Sequence, residues 1–88
     1  LQVEHPVTEE ITGVDLVELQ LRVAAGDGLA LDQKDILERG HAFEARLYAE
    51  NPDNNFAPSI GTLTTLRLPF EPRTDSGVEE GQEITPFY

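Results

Sequence analysis

Two short strings carry side chains able to do acid–base or anion chemistry. Glu4 and His5 are adjacent, and a carboxylate beside an imidazole can work as an acid–base pair. Glu44 and Arg46 are spaced by one residue, which on a strand places both on one face. A guanidinium steadied there by a carboxylate can hold an anion or stabilise an oxyanion. Each string also has an ordinary reading, to which spacing alone points. A carboxylate near a chain start is usually solvated, and an exposed ion pair is worth about 0–1 kcal/mol.

The remaining polar clusters read more simply. Glu79, Glu80 and Glu83 lack the spaced Asp/Asn and Gly pattern of a calcium loop, and read as a solvated hairpin. His41 opens a strand-like stretch on the same face as Phe43, as a strand-end or core histidine would. Gly26-Asp27-Gly28 fits neither GxxxxGK[ST] nor GxGxxG, so it is not a phosphate loop in pattern. No metal site is expected, since two His with no Cys do not make a structural zinc set.

The elements that must position these groups change character near residue 40. Before it the pattern is helical. Residues 1–13 open as a short extended segment, because Pro6 biases His5 away from helical angles. One helical turn can start at Thr8 and stop at Gly13. Asp15 followed by Glu18 matches a capping box and starts the clearest helix. Leu16, Leu19 and Val23, flanked by Val17, Leu21 and Ala24, give it a broad apolar stripe, and Gly26 and Gly28 end it. Asp32 caps a short turn through Ile36. After residue 40 the period is two. Phe43, Ala45, Leu47 and Ala49 alternate with Glu44, Arg46, Tyr48 and Glu50, predicting a strand over residues 41–50. The Pro- and Asn-rich stretch 51–59 is loop. Further strands are predicted over 61–68, 73–78 and 83–85. The expected fold class is α+β, with a short N-terminal helical segment packed on a small antiparallel sheet.

Composition narrows the partners. The 88 residues carry six Lys+Arg against 17 Asp+Glu, a formal net charge of −11. Such a surface repels phosphate backbones and anionic lipid, so neither nucleic acid nor a membrane is an expected partner. No apolar run approaches the roughly 20 residues that span a bilayer. A chain of this size buries only roughly 60–65% of its unfolded surface, and it has no disulfide to help. The first residue is Leu and the last three are Pro86-Phe87-Tyr88, which reads as an excised piece of something larger.

Two strings go further. Gln2-Val3-Glu4-His5-Pro6-Val7-Thr8-Glu9, followed by Ile11-Thr12-Gly13 and Asp15-Leu16-Val17, resembles the signature of biotin carboxylases. Arg39-Gly40-His41-Ala42-Phe43-Glu44-Ala45-Arg46, with Ala49-Glu50, resembles the second signature of that family. Asn55-Phe56 and Asp75-Ser76-Gly77-Val78 continue the likeness, so it covers essentially the whole chain. Within the family, the stretches Phe43–Glu50 and Asn54–Phe56 look most like the biotin-containing alpha subunits of methylcrotonyl- or propionyl-CoA carboxylases. Pro6 speaks against pyruvate carboxylases, while urea and geranyl-CoA carboxylases stay open.

The resemblance implies an ATP-grasp region and a C-terminal biotin-carboxylase domain. Residues 1–28 would be the end of the former, and 29–88 the first part of the latter. It implies ATP-dependent carboxylation of biotin on a carrier, through carboxyphosphate formed from bicarbonate. Carried over residue by residue, Glu4 is the base for bicarbonate, while the Gln2 side chain and the Val3 backbone amide hold the anion. Arg46 faces bicarbonate and the developing enolate oxygen. Glu44 beside it is expected, from spacing, to hold Arg46 in place. Biotin on its carrier, ATP and Mg are the expected cofactors of the parent enzyme, with none expected bound to these residues alone. The expected partners are the rest of the ATP-grasp domain, the biotin carboxyl carrier domain and a carboxyltransferase subunit. The family's Asn-x-Arg falls just before Leu1, and its nucleotide and magnesium residues fall further upstream. The chain also stops at Tyr88, inside a Tyr-Asp motif. The 88 residues alone are therefore expected to be inactive. The expected compartment is bacterial cytoplasm, or else the mitochondrial matrix. The alternative is a non-enzymatic acidic α+β interaction module.

Overall fold

Pro6 sits in the first turn of a helix, where its missing N–H is not needed and its fixed φ suits the start. The computed structural model describes residues 1–87 and places this helix, α1, at His5–Thr12. The helix is longer than the single turn predicted from Thr8. A proline disfavours helical angles in the residue before it, yet at a first turn that bias does not stop a helix. Gly13, at φ 72°, ends α1, and its N–H donates to the Glu9 carbonyl at 2.8 Å. This is the simple left-handed cap that glycine provides without steric cost.

Helix α2 spans Leu16–Ala24. Asp15 caps it as predicted, its carboxylate accepting from the Glu18 N–H at 2.7 Å. Only half of the capping box forms, because the Glu18 carboxylate turns outward to Arg22, with Nη2 at 2.6 Å. Glu9 of α1 takes a second orphan donor, accepting from the Leu16 N–H at 2.7 Å. No periodicity or cap pattern signals this latch between the helices. After Ala24 the chain closes a double cap: Gly26 N–H donates to Val23 O and Asp27 N–H to Arg22 O, both at 3.0 Å. A 3-10 turn follows at Gln33–Asp35, preceded by Asp32 as expected.

The chain divides into two units, Leu1–Arg46 and Leu47–Tyr88. Both helices lie in the first. The second holds two antiparallel ladders. Strands β1 (Glu50–Asn51) and β2 (Ala57–Pro58) pair Glu50 with Pro58 and Asn51 with Ala57. Strands β3 (Gly61–Thr62) and β4 (Glu83–Ile84) pair Gly61 with Ile84 and Thr62 with Glu83. The α+β class thus holds, but the strands are shorter than predicted and form two separate pairs. Residues 41–49 and 63–68 have no assigned ladder among the described residues. A period of two specifies a face to bury, whereas a strand also needs a neighbour to bond. Residues 73–78 form no strand. There Arg73 pairs with Asp75 through their side chains, and Ser76 Oγ donates to the Val78 carbonyl at 2.9 Å, a local backbone bond that competes with a ladder.

No residue among those described is fully buried. The accessible surface is 7811 Å². A folded monomer of 9.7 kDa would expose roughly 5,100 Å². Leu21, Phe43, Leu47 and Phe70 stand largely in solvent, Phe43 and Phe70 almost completely.

Candidate functional site: the Gln2–His5 turn and the Arg46 segment

Gln2, Val3, Glu4 and His5 form a tight turn at the head of α1. The His5 N–H donates to the Gln2 carbonyl at 3.2 Å, closing the turn. The same carbonyl accepts from His5 Nδ1 at 2.8 Å. A carbonyl only accepts, so Nδ1 must carry the proton. The turn's own bond leaves the Val3 N–H outside it. Glu4 has φ −77° and ψ 14°, close to the values usual for the third residue of such a turn. Its backbone carbonyl accepts from the Val7 N–H at 3.1 Å, but its carboxylate makes no capping bond. Gln2, Val3 and Glu4 are exposed, and His5 is half-buried. The carboxylate therefore stands in solvent at the positive end of a helix.

The second signature lies in the extended segment that ends the same unit. Its start is pinned to α1, the Arg39 N–H donating to the Ile11 carbonyl at 2.7 Å. An open concavity of about 570 Å³ runs beside this bond, lined by Val7, Ile11, Glu38, Gly40, His41, Ala42 and Phe43. His41 is exposed on its wall. Glu44 and Arg46 are also exposed. The ladder expected to fix these two on one strand face does not form over residues 41–49.

The other clusters are accounted for locally. Glu80 accepts from the Leu66 N–H at 2.7 Å, so it ties together the long connection between β3 and β4. No group of three or more His, Cys, Asp or Glu able to hold a metal occurs among the described residues. No helix there is long and apolar enough to cross a membrane.

The Gln2–His5 turn and the Glu44–Arg46 segment thus lie in one unit, with Glu4, Glu44 and Arg46 all exposed. Comparison with known proteins supplies a family for the chain. Residues 44–88 match the family model of the biotin carboxylase C-terminal domain, and residues 1–32 match that of the carbamoyl-phosphate synthase L chain ATP-binding domain. The chain belongs to the biotin carboxylase family.

It is 56% identical to the alpha chain of the mitochondrial methylcrotonoyl-CoA carboxylase of Rattus norvegicus, over its whole length and 13% of that protein. It is 57% identical to a pyruvate carboxylase component of Methanothermobacter thermautotrophicus, again over its whole length and 18% of the relative. High likeness is thus shared between an acyl-CoA carboxylase and a pyruvate carboxylase. Among solved structures, the biotin carboxylase domain dimer of Hydrogenobacter thermophilus 2-oxoglutarate carboxylase, in complex with MgADP, ADP and bicarbonate, superposes with a TM-score of 0.91. It is 49% identical, and the match covers all of this chain and 20% of that one.

Proposed function

We propose that this chain forms part of the biotin carboxylase component of a biotin-dependent carboxylase. The whole protein then carboxylates carrier-borne biotin with ATP and bicarbonate. The observation carrying this is the Gln2–His5 turn, with its solvent-facing Glu4 at the helix head, in a chain 49% identical to a bicarbonate-bound biotin carboxylase domain. The division into residues 1–28, closing an ATP-grasp region, and 29–88, opening the C-terminal domain, is part of the same proposal.

The roles follow from the chemistry. Bicarbonate is a weak nucleophile, so a carboxylate base that takes its proton raises its reactivity. Glu4 supplies that base, and its exposed carboxylate, uncommitted to capping, is suited to the task. The Val3 N–H and the Gln2 side chain hold the anion beside it, helped by the positive end of α1. Arg46 presents a planar guanidinium that can bind a carboxylate through two bonds. The same group stabilises an enolate oxygen as charge builds on it. Glu44 orients Arg46 once the surrounding protein excludes water. Biotin supplies the nitrogen that receives the carboxyl group. These residues do not fit ATP and Mg by themselves, since the sequence has no phosphate loop and the described residues no metal cluster. Those ligands belong to the remainder of the ATP-grasp domain.

A carboxyltransferase subunit and the carrier domain are the further partners of this reading. The acyl-CoA acceptor is of the methylcrotonyl or propionyl type. The compartment is bacterial cytoplasm or mitochondrial matrix.

The test uses the full-length parent enzyme. Glu4→Gln and Arg46→Ala should each lower biotin carboxylation about a hundredfold or more, the scale for a lost base or a lost charge stabiliser. Full activity in both variants overturns the assignment.

A further inference from the structure

His5 has no role in the chemistry above, yet it makes the contact that defines the proposed anion site. Its backbone N–H and its ring Nδ1 both reach the Gln2 carbonyl, at 3.2 and 2.8 Å. One acceptor thus receives two donors from one residue. The pair closes a ring around Val3 and Glu4. A backbone β-turn bond alone is easily opened in water, where the net worth of one hydrogen bond is small. A second bond from a planar ring restricts the turn further. Pro6 adds to this by fixing the backbone immediately after His5. The ring is half-buried, whereas Gln2, Val3 and Glu4 are exposed, so His5 is the member of the turn best placed to be held still.

We propose that His5 is a positioning residue: its Nδ1–H clamps the Gln2 carbonyl and so presets the Val3 amide and the Glu4 carboxylate for bicarbonate. The inference rests on reading that turn as the bicarbonate site. His5 itself neither touches bicarbonate nor exchanges a proton with it. The clamp acts through geometry, and an anion site misplaced by about 1 Å can lose on the order of a hundredfold in rate.

The clamp makes a demand specific to one ring atom. Asparagine can place an N–H donor near the Nδ1 position, whereas glutamine places one near Nε2. In the full-length parent enzyme, His5→Ala and His5→Gln should raise the KM for bicarbonate about tenfold, leaving the KM for ATP within about twofold. His5→Asn should bring the bicarbonate KM back to within about threefold of the parent. A merely structural loss would lower the active fraction, and with it kcat, without selecting one substrate. The Asn and Gln variants carry the test even if the Ala variant fails to accumulate. An unchanged bicarbonate KM in His5→Ala, or equal rescue by Asn and Gln, overturns the proposal. Glu4→Gln, assayed in parallel, separates the two failures. If that variant is fully active, the bicarbonate reading of the turn is wrong. If it is inactive while His5→Ala is normal, only the clamp is wrong.

Discussion

Residues 1–46 and 47–88 solve the backbone hydrogen-bond problem in different ways. In the first unit most bonds close within a turn: α1 and α2 are bounded by Asp15, Gly13 and the Gly26–Asp27 cap, all adjacent in sequence to the helices they terminate. In the second unit the bonds reach across loops. Leu63 donates to the Gln82 carbonyl, Gly81 returns a bond to Leu63, and Leu66 finds its acceptor on Glu80. A helix carries its own partners. A strand depends on where another strand happens to be. The first unit is therefore locally specified, and the second, among the described residues, holds only two-residue strands.

The largest expected effect tests whether the two regions together suffice for chemistry. The purified 88 residues should show no bicarbonate-dependent ATP cleavage in a phosphate-release assay. Any measurable bicarbonate-stimulated turnover would break the view that both regions only contribute to a larger site. Next in size is the cap of α1. In the parent enzyme, Gly13→Ala should lower stability by about 1–2 kcal/mol, because an alanine is forced to a left-handed φ. Gly28→Ala should change it by less than about 0.5 kcal/mol, since that glycine has open space around it and needs no positive φ. Thermal inactivation midpoints of the two variants give the contrast, and equal shifts would remove it. Asp15→Ala should cost about 1 kcal/mol through the lost cap on α2, read in the same way. Smallest is the Glu18–Arg22 pair, both side chains of which are 55% exposed. Arg22→Ala should cost no more than about 0.5 kcal/mol, and the difference should shrink further in high salt.

The same contrast explains what can be read from the sequence. Asp15, Gly13 and Gly26 are local signals, so the helical region is legible apart from the extent of α1, where Pro6 restrains the chain less than its bias suggests. The Phe43–Glu50 alternation is legible as a face but not as a ladder, because its hydrogen-bonding neighbour is not encoded in the alternation. Arg73–Val78 imitates a strand in composition, but Asp75 pairs with the Arg73 side chain and the Ser76 hydroxyl bonds the backbone of Val78 two residues on. Gln2, Val3, Glu4 and Arg46 stand out only through resemblance to a family; their spacing alone points to solvated surface. The double contact of His5 on Gln2, and the Glu9 latch on α2, depend on side-chain geometry that no periodicity reports.

The lack of any fully buried residue among those described bears on how the chain responds to heat. The sharpness of a melting transition comes from a large enthalpy released at once, and its curvature from the heat capacity of apolar surface newly wetted. Here much of that surface is already wet: the area exposed is more than half of the roughly 14,000 Å² of the extended chain. Warming these 88 residues by themselves would therefore fray α1, α2 and the two strand pairs one after another, with a small heat-capacity step. Cooperativity enters only when Phe43, Leu47 and Phe70 are covered, so for this segment a melting temperature is a property conferred by its surroundings.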